Sequence, residues 1–450
     1  MESFFKKIES FSDSPFLAGN GKLFSCGQLI VQTNAYYGTI RQAIPDGCVV
    51  GAHIGYSFHS IALLFALGLN RNIIVPLSEE AAPKHGDYLD VAGVAFEVRM
   101  DGDAQLNITF SSIKETNALY EKIRAERHGG IVLFSSGSSG VPKGIVHDFN
   151  RLLTPYDQGG KSLKTLIFLK MDHIGGLNTL FYNLANNGFI IVPDSTSPAD
   201  VCKAIETYGA DLLPTSPTFL NLMLLSGAIS RYDLSSLRLI TYGTEPMPES
   251  TLLRIKTALP HVRLKQTYGM SEIGILKTRS RADDSLWLKL GGHGVDIKIR
   301  DSILWIKSPV AMLGYLNAED PFEVGGYINT GDRVEQDNEW LKILGRESEV
   351  INVGGYKVFP TEVESVLHQM PEVADAVVFG SPNPLTGHAV NAVIKLRSEL
   401  SLSEFKAAMR KFCRKHLEPY KIPVKISLTH EDLHSERFKK NRNVSNAFVH

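Results

Sequence analysis

Up to about residue 283, short apolar runs alternate with longer stretches whose apolar positions recur at helical spacing, a pattern that predicts strands separated by helices. Residues 48–55 read as a strand and turn, 58–69 as a buried helix and 73–76 as a second strand. The order repeats with a strand at 93–98, a polar helix at 113–128 and a strand at 131–134. Further on, strand character at 165–169, 190–192 and 237–241 is interleaved with helix character at 177–186, 197–208 and 249–258. Brief apolar runs fall at 212–213 and 262–266. Such a succession predicts a mainly parallel sheet with crossover helices.

From residue 284 the apolar period shortens to two. Segments 295–299 and 303–306 predict antiparallel ribbons or a small barrel. A boundary falls near residues 344–346, after which the pattern changes again. A helix opens at Pro360 with Glu362 and Glu364 in its first turn, where the helix dipole favours acids. Strands at 373–379 and 389–396, a basic amphipathic helix at 402–416 and a positive segment, SERFKKNRN, complete the chain. The fold class is therefore α/β. A large N-terminal domain, residues 1–344, has mixed and parallel sheets with helices plus a small barrel-like portion, and a small α+β domain occupies residues 345–450. Residues 1–50 mix short apolar runs with glycine and polar turns and suggest no chemistry.

Charge narrows the class of partner. With 47 basic and 48 acidic residues among 450, the net charge of -1 gives no electrostatic case for nucleic acid or a membrane surface. The cysteines, Cys26, Cys48, Cys202 and Cys413, are isolated, without the spacing of a zinc site or a disulfide framework, and fit a reducing cytoplasm. The start lacks the ordered regions of a signal peptide, and the apolar run at 61–69 is half a membrane span at most.

The chemistry concentrates first in IVLFSSGSSGVPKGI, residues 131–145, where an apolar strand stops in a serine/glycine turn. Ser135, Ser136, Gly137, Ser138, Ser139 and Gly140 offer closely spaced amides and hydroxyls, an anion-binding nest for phosphate. Lys143 adds a point positive charge. The spacing is not G-x-x-x-x-G-K-[ST], so this is not a Walker A loop, and a plain surface turn is the alternative reading. In QTYGMSE, Tyr268 can stack on a purine, Gly269 is flexible, Ser271 can contact phosphate, and Glu272 is a hard-oxygen ligand suited to magnesium shared with phosphates. Asp332 in INTGDRV offers two carboxylate oxygens to a pair of ribose hydroxyls, and Arg346 suits a ribose or phosphate contact. Each of these segments, alone, also reads as an ordinary solvated turn or helix cap.

Taken in order, FSSGSSGVPKG, KMDHIGG, YGTEP, QTYGMSE, INTGDRV and GRESEVINVGGYKVFPTEVE resemble the motifs of the adenylate-forming superfamily, over nearly the whole chain. That superfamily comprises acyl-CoA synthetases, peptide-synthetase adenylation domains and luciferases. The resemblance implies ATP-dependent activation of a small or medium carboxylic acid to an acyl-adenylate, with release of pyrophosphate. Transfer to a thiol, coenzyme A or carrier-protein phosphopantetheine, then releases AMP. It places His173 of KMDHIGG near the acyl pocket and Gly243, Thr244, Glu245 and Pro246 against adenine. It assigns magnesium to Glu272 and ribose to Asp332, and makes the C-terminal domain mobile between half-reactions. The mobile catalytic lysine falls on Lys439, three residues before Arg442, with Lys440 as the alternative.

The chain departs from the pattern at three places. Ser348 and Asn352 replace the usual hinge aspartate or lysine and a frequent lysine, and Phe438 replaces the glycine before the terminal lysine. Amino-acid adenylation for a carrier protein, with Asp172 as the ammonium's partner, and a nucleotide-binding regulatory or structural protein without turnover remain the competing readings. The residues identify neither the acid, the thiol donor nor an oligomeric state.

Overall fold

The computed structural model describes residues 1–19, 21–112, 117–135, 142–435, 438–440 and 442, and the backbone alone of Glu80. Two seven-stranded sheets and an eight-stranded one form the large domain, and a five-stranded sheet with two helices forms the small one. The two-domain α/β architecture expected from the apolar pattern is the one observed.

In the first sheet the strands run in the order Arg263–Gln266, Leu239–Tyr242, Leu212–Thr215, Lys164–Leu166, Phe189–Ile191, Pro15–Gly19 and Lys22–Ser25. All neighbours are parallel except the last pair. The second sheet holds Gly130–Ser135, Ile73–Leu77, Val49–His53 and Phe96–Met100 as a parallel centre, with antiparallel strands at both edges. One apolar cluster takes side chains from both sheets, Leu17 and Ile190 from the first and Val50, Ile74 and Leu133 from the second. Helices lie between them. Phe58–Leu69 is buried almost throughout, which is why its sequence shows no polar face.

Residues 1–50, opaque as sequence, supply two further pieces of this core. Glu2–Glu9 packs Phe4 and Ile8 inward, and Cys26–Ala43 starts at a capping box in which Ser25 and Gln28 satisfy each other's backbone amides. The predicted polar helix at 113–128 is observed as Ala118–Ala125, capped by Asn117, with 113–116 outside the described residues. The strand expected at 93–98 begins later, at Phe96.

The period-two region forms antiparallel pairs, including Asp296–Arg300 with Ile303–Lys307. Its edge strands, Tyr268–Met270 and Asp296–Arg300, are not paired with each other among the described residues, so the barrel-like portion is an open antiparallel sheet. In the small domain, helices Pro360–Leu367 and Leu402–Cys413 pack Val363, Leu367, Phe405 and Met409 onto the sheet. The second helix ends three residues earlier than its sequence pattern suggests, in a turn at 414–416. Ile351–Val353 and Tyr356–Val358 form a hairpin whose two-residue turn, Gly354 and Gly355, has φ of +60° and +90°, torsions that glycine adopts without strain. Among the described residues, no helix is long and apolar enough to cross a membrane. All four cysteines are unpaired.

The helix Ile174–Ala185 enters the core against residues 169–170 at a backbone approach that only glycine permits. A β-carbon at Gly176 would lie 2.0 Å from the Lys170 carbonyl oxygen and 2.7 Å from that of Leu169. Gly176→Ala should therefore destabilise the large domain by about 1–3 kcal/mol or more through overpacking. A thermal melt unchanged from the parent would contradict this contact.

Candidate active site

Three neighbouring parallel strands end level with one another. Thr215 pairs with Tyr242 and Tyr242 with Gln266, so the segments that follow emerge side by side at the carboxyl edge of the first sheet. Ligand crevices in open α/β sheets form at that edge. The loops are stitched together there: Gly243 N donates to Thr215 O at 3.3 Å and Thr267 N to Tyr242 O at 2.8 Å. A β-carbon at Gly243 would meet Thr267 Oγ1 at 2.5 Å, so glycine is required for this closeness. Thr244 follows at φ +73°, a costly torsion for a β-branched residue and one found where surrounding structure over-determines the backbone.

A cleft opens against these loops. Its lining includes Thr244, Glu245, Pro246, Tyr268, Gly269, Asp332, Arg346 and Lys439, together with Gln266, Glu349 and Arg442. Residues separated by nearly two hundred positions in sequence thus face one space.

Asp332 and Arg346 meet because they are cross-strand partners in the antiparallel pair Tyr327–Asp337 and Trp340–Arg346. Arg346 Nε lies 2.9 Å from Asp332 Oδ1, and the Tyr268 hydroxyl donates to Asp332 Oδ2 at 2.5 Å. Burial pushes the Asp332 carboxyl above its ordinary value, while Arg346 and the Tyr268 hydrogen bond pull it back down. Glu245 is also raised by burial. Its two oxygens accept from backbone amides, Thr218 N at 2.8 Å and Lys440 N at 3.2 Å.

The phosphate-loop candidates divide. Ser136, Gly137, Ser138, Ser139 and Gly140 lie outside the described residues. Their flanks are fixed, with Ser135 paired to Lys143 across an antiparallel turn-back of the chain, Gly130–Ser135 against Lys143–Asp148. A strand, Lys143–Asp148, and not a helix, is the element that follows residues 136–141. Asn317 clamps this return: its amide donates to Pro142 O at 2.9 Å and accepts from Gly144 N at 3.0 Å. Lys143 Nζ lies 5.2 Å from the centre of the Tyr315 ring, whose hydroxyl donates to Glu272 Oε1 at 2.9 Å. Cation and carboxylate thus contact one tyrosine, the first over its ring and the second at its hydroxyl. Ser271 is held through its carbonyl, which accepts from His147 Nε2 at 2.7 Å. Burial pushes His147 down to about 4, so the ring is neutral near pH 7 and donates from Nε2.

His173 occupies the N-cap of Ile174–Ala185, with its Nε2 3.8 Å from Asp172 Oδ1. Asp172 is buried and accepts from Ser78 Oγ at 2.8 Å. Neither residue is part of the lining of the cleft just described. The two lysine candidates differ. Both line the cleft, but Lys439 is exposed there, whereas Lys440 Nζ pairs with Asp375 and donates to Ala376 O at 2.9 Å, both in the small domain. Burial alone would raise Asp375, but Lys440 and His368 beside it hold it well below the ordinary carboxylate range. Ser348 is exposed in the short turn Glu347–Glu349, and Asn352 accepts from Gly355 N across the hairpin turn. Sequence reasoning overlooked His147, Tyr315 and Asn317, whose roles come from partners more than forty residues away.

Comparison with known proteins agrees with this architecture. A family model described as AMP-binding enzyme matches residues 69–316, and one described as AMP-binding enzyme C-terminal domain matches 362–440. Acyl-CoA synthetase 7 of Caenorhabditis elegans is 30% identical over 331 residues, 66% of this chain and 61% of the relative. A long-chain-fatty-acid–CoA ligase of Bacillus subtilis is 25% identical over 448 residues, 90% of this chain and 78% of the relative. This chain thus spans less than two thirds of the length of the first of these relatives. The crystal structure of the anthranilate CoA ligase AuaEII with anthranoyl-AMP shares the fold, with a TM-score of 0.81 at 18% identity over 99% of this chain and 96% of that one.

The Tyr268 hydroxyl helps to keep Asp332 ionised. Tyr268→Phe should shift the Asp332 titration to higher pH, which carbon-13 carboxyl NMR would read. An unshifted titration would remove Tyr268 from that role.

Proposed function

Because the chain belongs to the AMP-binding enzyme family, we propose that it activates a small or medium carboxylic acid with ATP and passes the acyl group to a thiol. The observation that carries this reading is the single cleft faced by Tyr268, Asp332, Arg346 and Lys439. In the first half-reaction a carboxylate oxygen attacks the α-phosphorus of ATP, the bond to the bridging oxygen breaks, and pyrophosphate leaves. In the second, a thiol attacks the acyl carbonyl and AMP departs. Coenzyme A and carrier-protein phosphopantetheine are both thiols of the required kind.

No side-chain nucleophile is needed, so the residues act by position and charge. In this reading Thr244–Pro246 and Tyr268 hold the adenine and Asp332 accepts from the ribose hydroxyls. Arg346 fixes Asp332 and keeps positive charge at hand. Lys143 and the loop before it hold the β and γ phosphates. Ser271 and Glu272 stand beside them, and His173 borders the acyl group. Lys439 offsets the charge that gathers where carboxylate and phosphate approach. Among the described residues, no group of three His, Cys, Asp or Glu side chains is placed to hold a metal. Magnesium nevertheless suits Glu272, a carboxylate near Lys143, since this ion is commonly held by one or two carboxylates plus substrate phosphates. Bound there, it would neutralise phosphate charge.

We place the domain boundary at 344/345, two residues before the end of the strand Trp340–Arg346, with residues 345–450 rotating between half-reactions. The unpaired cysteines fit a cytoplasmic location.

The full-length chain should exchange labelled pyrophosphate into ATP with at least one acid from a panel of short-chain, medium-chain and aromatic acids. Measured ATP binding without exchange for any acid would reject the reading. Lys439→Ala should lower exchange by about a hundredfold or more without lowering Tm. Lys440→Ala should lower Tm, because it leaves Asp375 buried without its ammonium partner. Asp375 is depressed, so this pair stabilises at neutral pH and is lost only as the solution becomes strongly acidic. The reverse pattern would transfer the role to Lys440. Glu272→Ala should raise the magnesium concentration needed for half-maximal exchange, and an unchanged requirement would count against its metal role.

A further inference from the structure

Phe438 occupies the position before Lys439 where the resembled pattern has glycine, and it keeps a glycine-like torsion, φ +50°. That conformation is unfavourable for a residue with a β-carbon and persists only where other contacts hold it. The contacts are visible. The Phe438 ring meets Phe219 edge-on at 4.9 Å and 74°, and Phe168 at 5.8 Å and 88°. Both partners are buried in the large domain. The His434 ring covers it at 5.8 Å.

Polar contacts fix the same segment. Ser216 Oγ donates to Phe438 O at 2.8 Å while accepting from Phe219 N at 3.1 Å, so the cap of helix Pro217–Ser226 also grips the terminal segment. Glu245, hydrogen-bonded to Thr218 N in that helix, takes Lys440 N with its other oxygen. On the far side of Lys439 the side-chain attachments change domain. Lys440 Nζ pairs with Asp375, and Arg442 reaches Glu364, Glu349 at 3.1 Å and Val378 O at 3.1 Å. Lys439 lies between a half-buried ring packed on one domain and two cations whose side chains bind the other.

Building on the acid-activating function proposed above, we propose that Phe438 is a positioning residue for adenylate formation. Its ring docks the terminal segment on the large domain and so aims Lys439 into the nucleotide cleft. A small-domain movement that carries Lys439 away must withdraw the ring, so the Phe168–Phe219 seat biases the chain toward its adenylate-forming arrangement.

Phe438→Gly tests this with the torsion preserved, since glycine adopts φ +50° freely and only the ring is lost. With the full chain and an acid that supports wild-type exchange, kcat for pyrophosphate exchange should fall about tenfold to a hundredfold, the cost of a misplaced catalytic group. KM for ATP and Tm should be unchanged. Thiol transfer to coenzyme A from that acid's supplied acyl-adenylate should be retained or faster. Phe438→Leu should restore most of the exchange rate, and hydrogen–deuterium exchange over 432–442 should quicken in Phe438→Gly alone. Wild-type exchange kinetics in Phe438→Gly, equal losses in both half-reactions, or unaltered deuterium uptake would each overturn the proposal. If wild type exchanges with no acid, the functional reading fails, and deuterium uptake alone then sustains or overturns the docking role.

Discussion

The parallel register that sets Thr215, Tyr242 and Gln266 level is the constraint on which the rest of the site depends. Strand register is specified by which side chains can be buried, and a slip of one residue would turn every apolar side chain to the wrong face. Leu213, Ile240 and Leu264 share one core cluster, and that burial locks the three strands. The loops then have no freedom to separate. Gly243 is pressed against Thr267, Thr244 is held at positive φ, and Glu245 faces the first turn of Pro217–Ser226.

Against this edge the antiparallel sheet delivers the second half of the site. Asp332 and Arg346 are opposite residues on neighbouring strands, so their ion pair follows from sheet geometry. The same sheet begins at Tyr268, whose hydroxyl closes the triangle on Asp332. Charge is arranged economically there, with a buried carboxylate partly offset by one guanidinium and one phenol. A comparable bridge lies beside the returning strand Lys143–Asp148, where Tyr315 contacts both Lys143 and Glu272 and His147 ties the strand to Ser271.

The terminal segment is the part whose placement is least local. Its attachments pass from one domain to the other within five residues: Phe438 and the Lys440 amide to the large domain, the Lys440 and Arg442 side chains to the small one. Glu364, only 1% exposed, is matched by Arg442, and the buried Asp375 by Lys440. Breaking one partner of such a buried pair costs far more than the pair's net contribution to stability, because it leaves a buried charge uncompensated. Lys439, carried between them, is exposed on the cleft wall.

Much of this was legible in the residues because it depends on local periodicity. The helix Phe58–Leu69, the strands at either end of it and the change of period at residue 284 all follow from apolar spacing, which a strand or helix must satisfy whatever its neighbours. The ordered motifs likewise named Tyr268, Asp332 and Arg346, which face one cleft, and Glu272, which lies outside that lining against Tyr315. Periodicity was silent on residues 1–50, where Cys26–Ala43 has a weakly segregated face, and on whether the antiparallel strands close into a barrel. The sequence by itself therefore determined the elements, the two-domain order and the chemical inventory. Which partners those groups meet, Tyr315 for Glu272, His147 for Ser271 and the Phe168–Phe219 seat for Phe438, was decided only by the tertiary structure, because each contact joins segments whose distance along the chain carries no periodic signal.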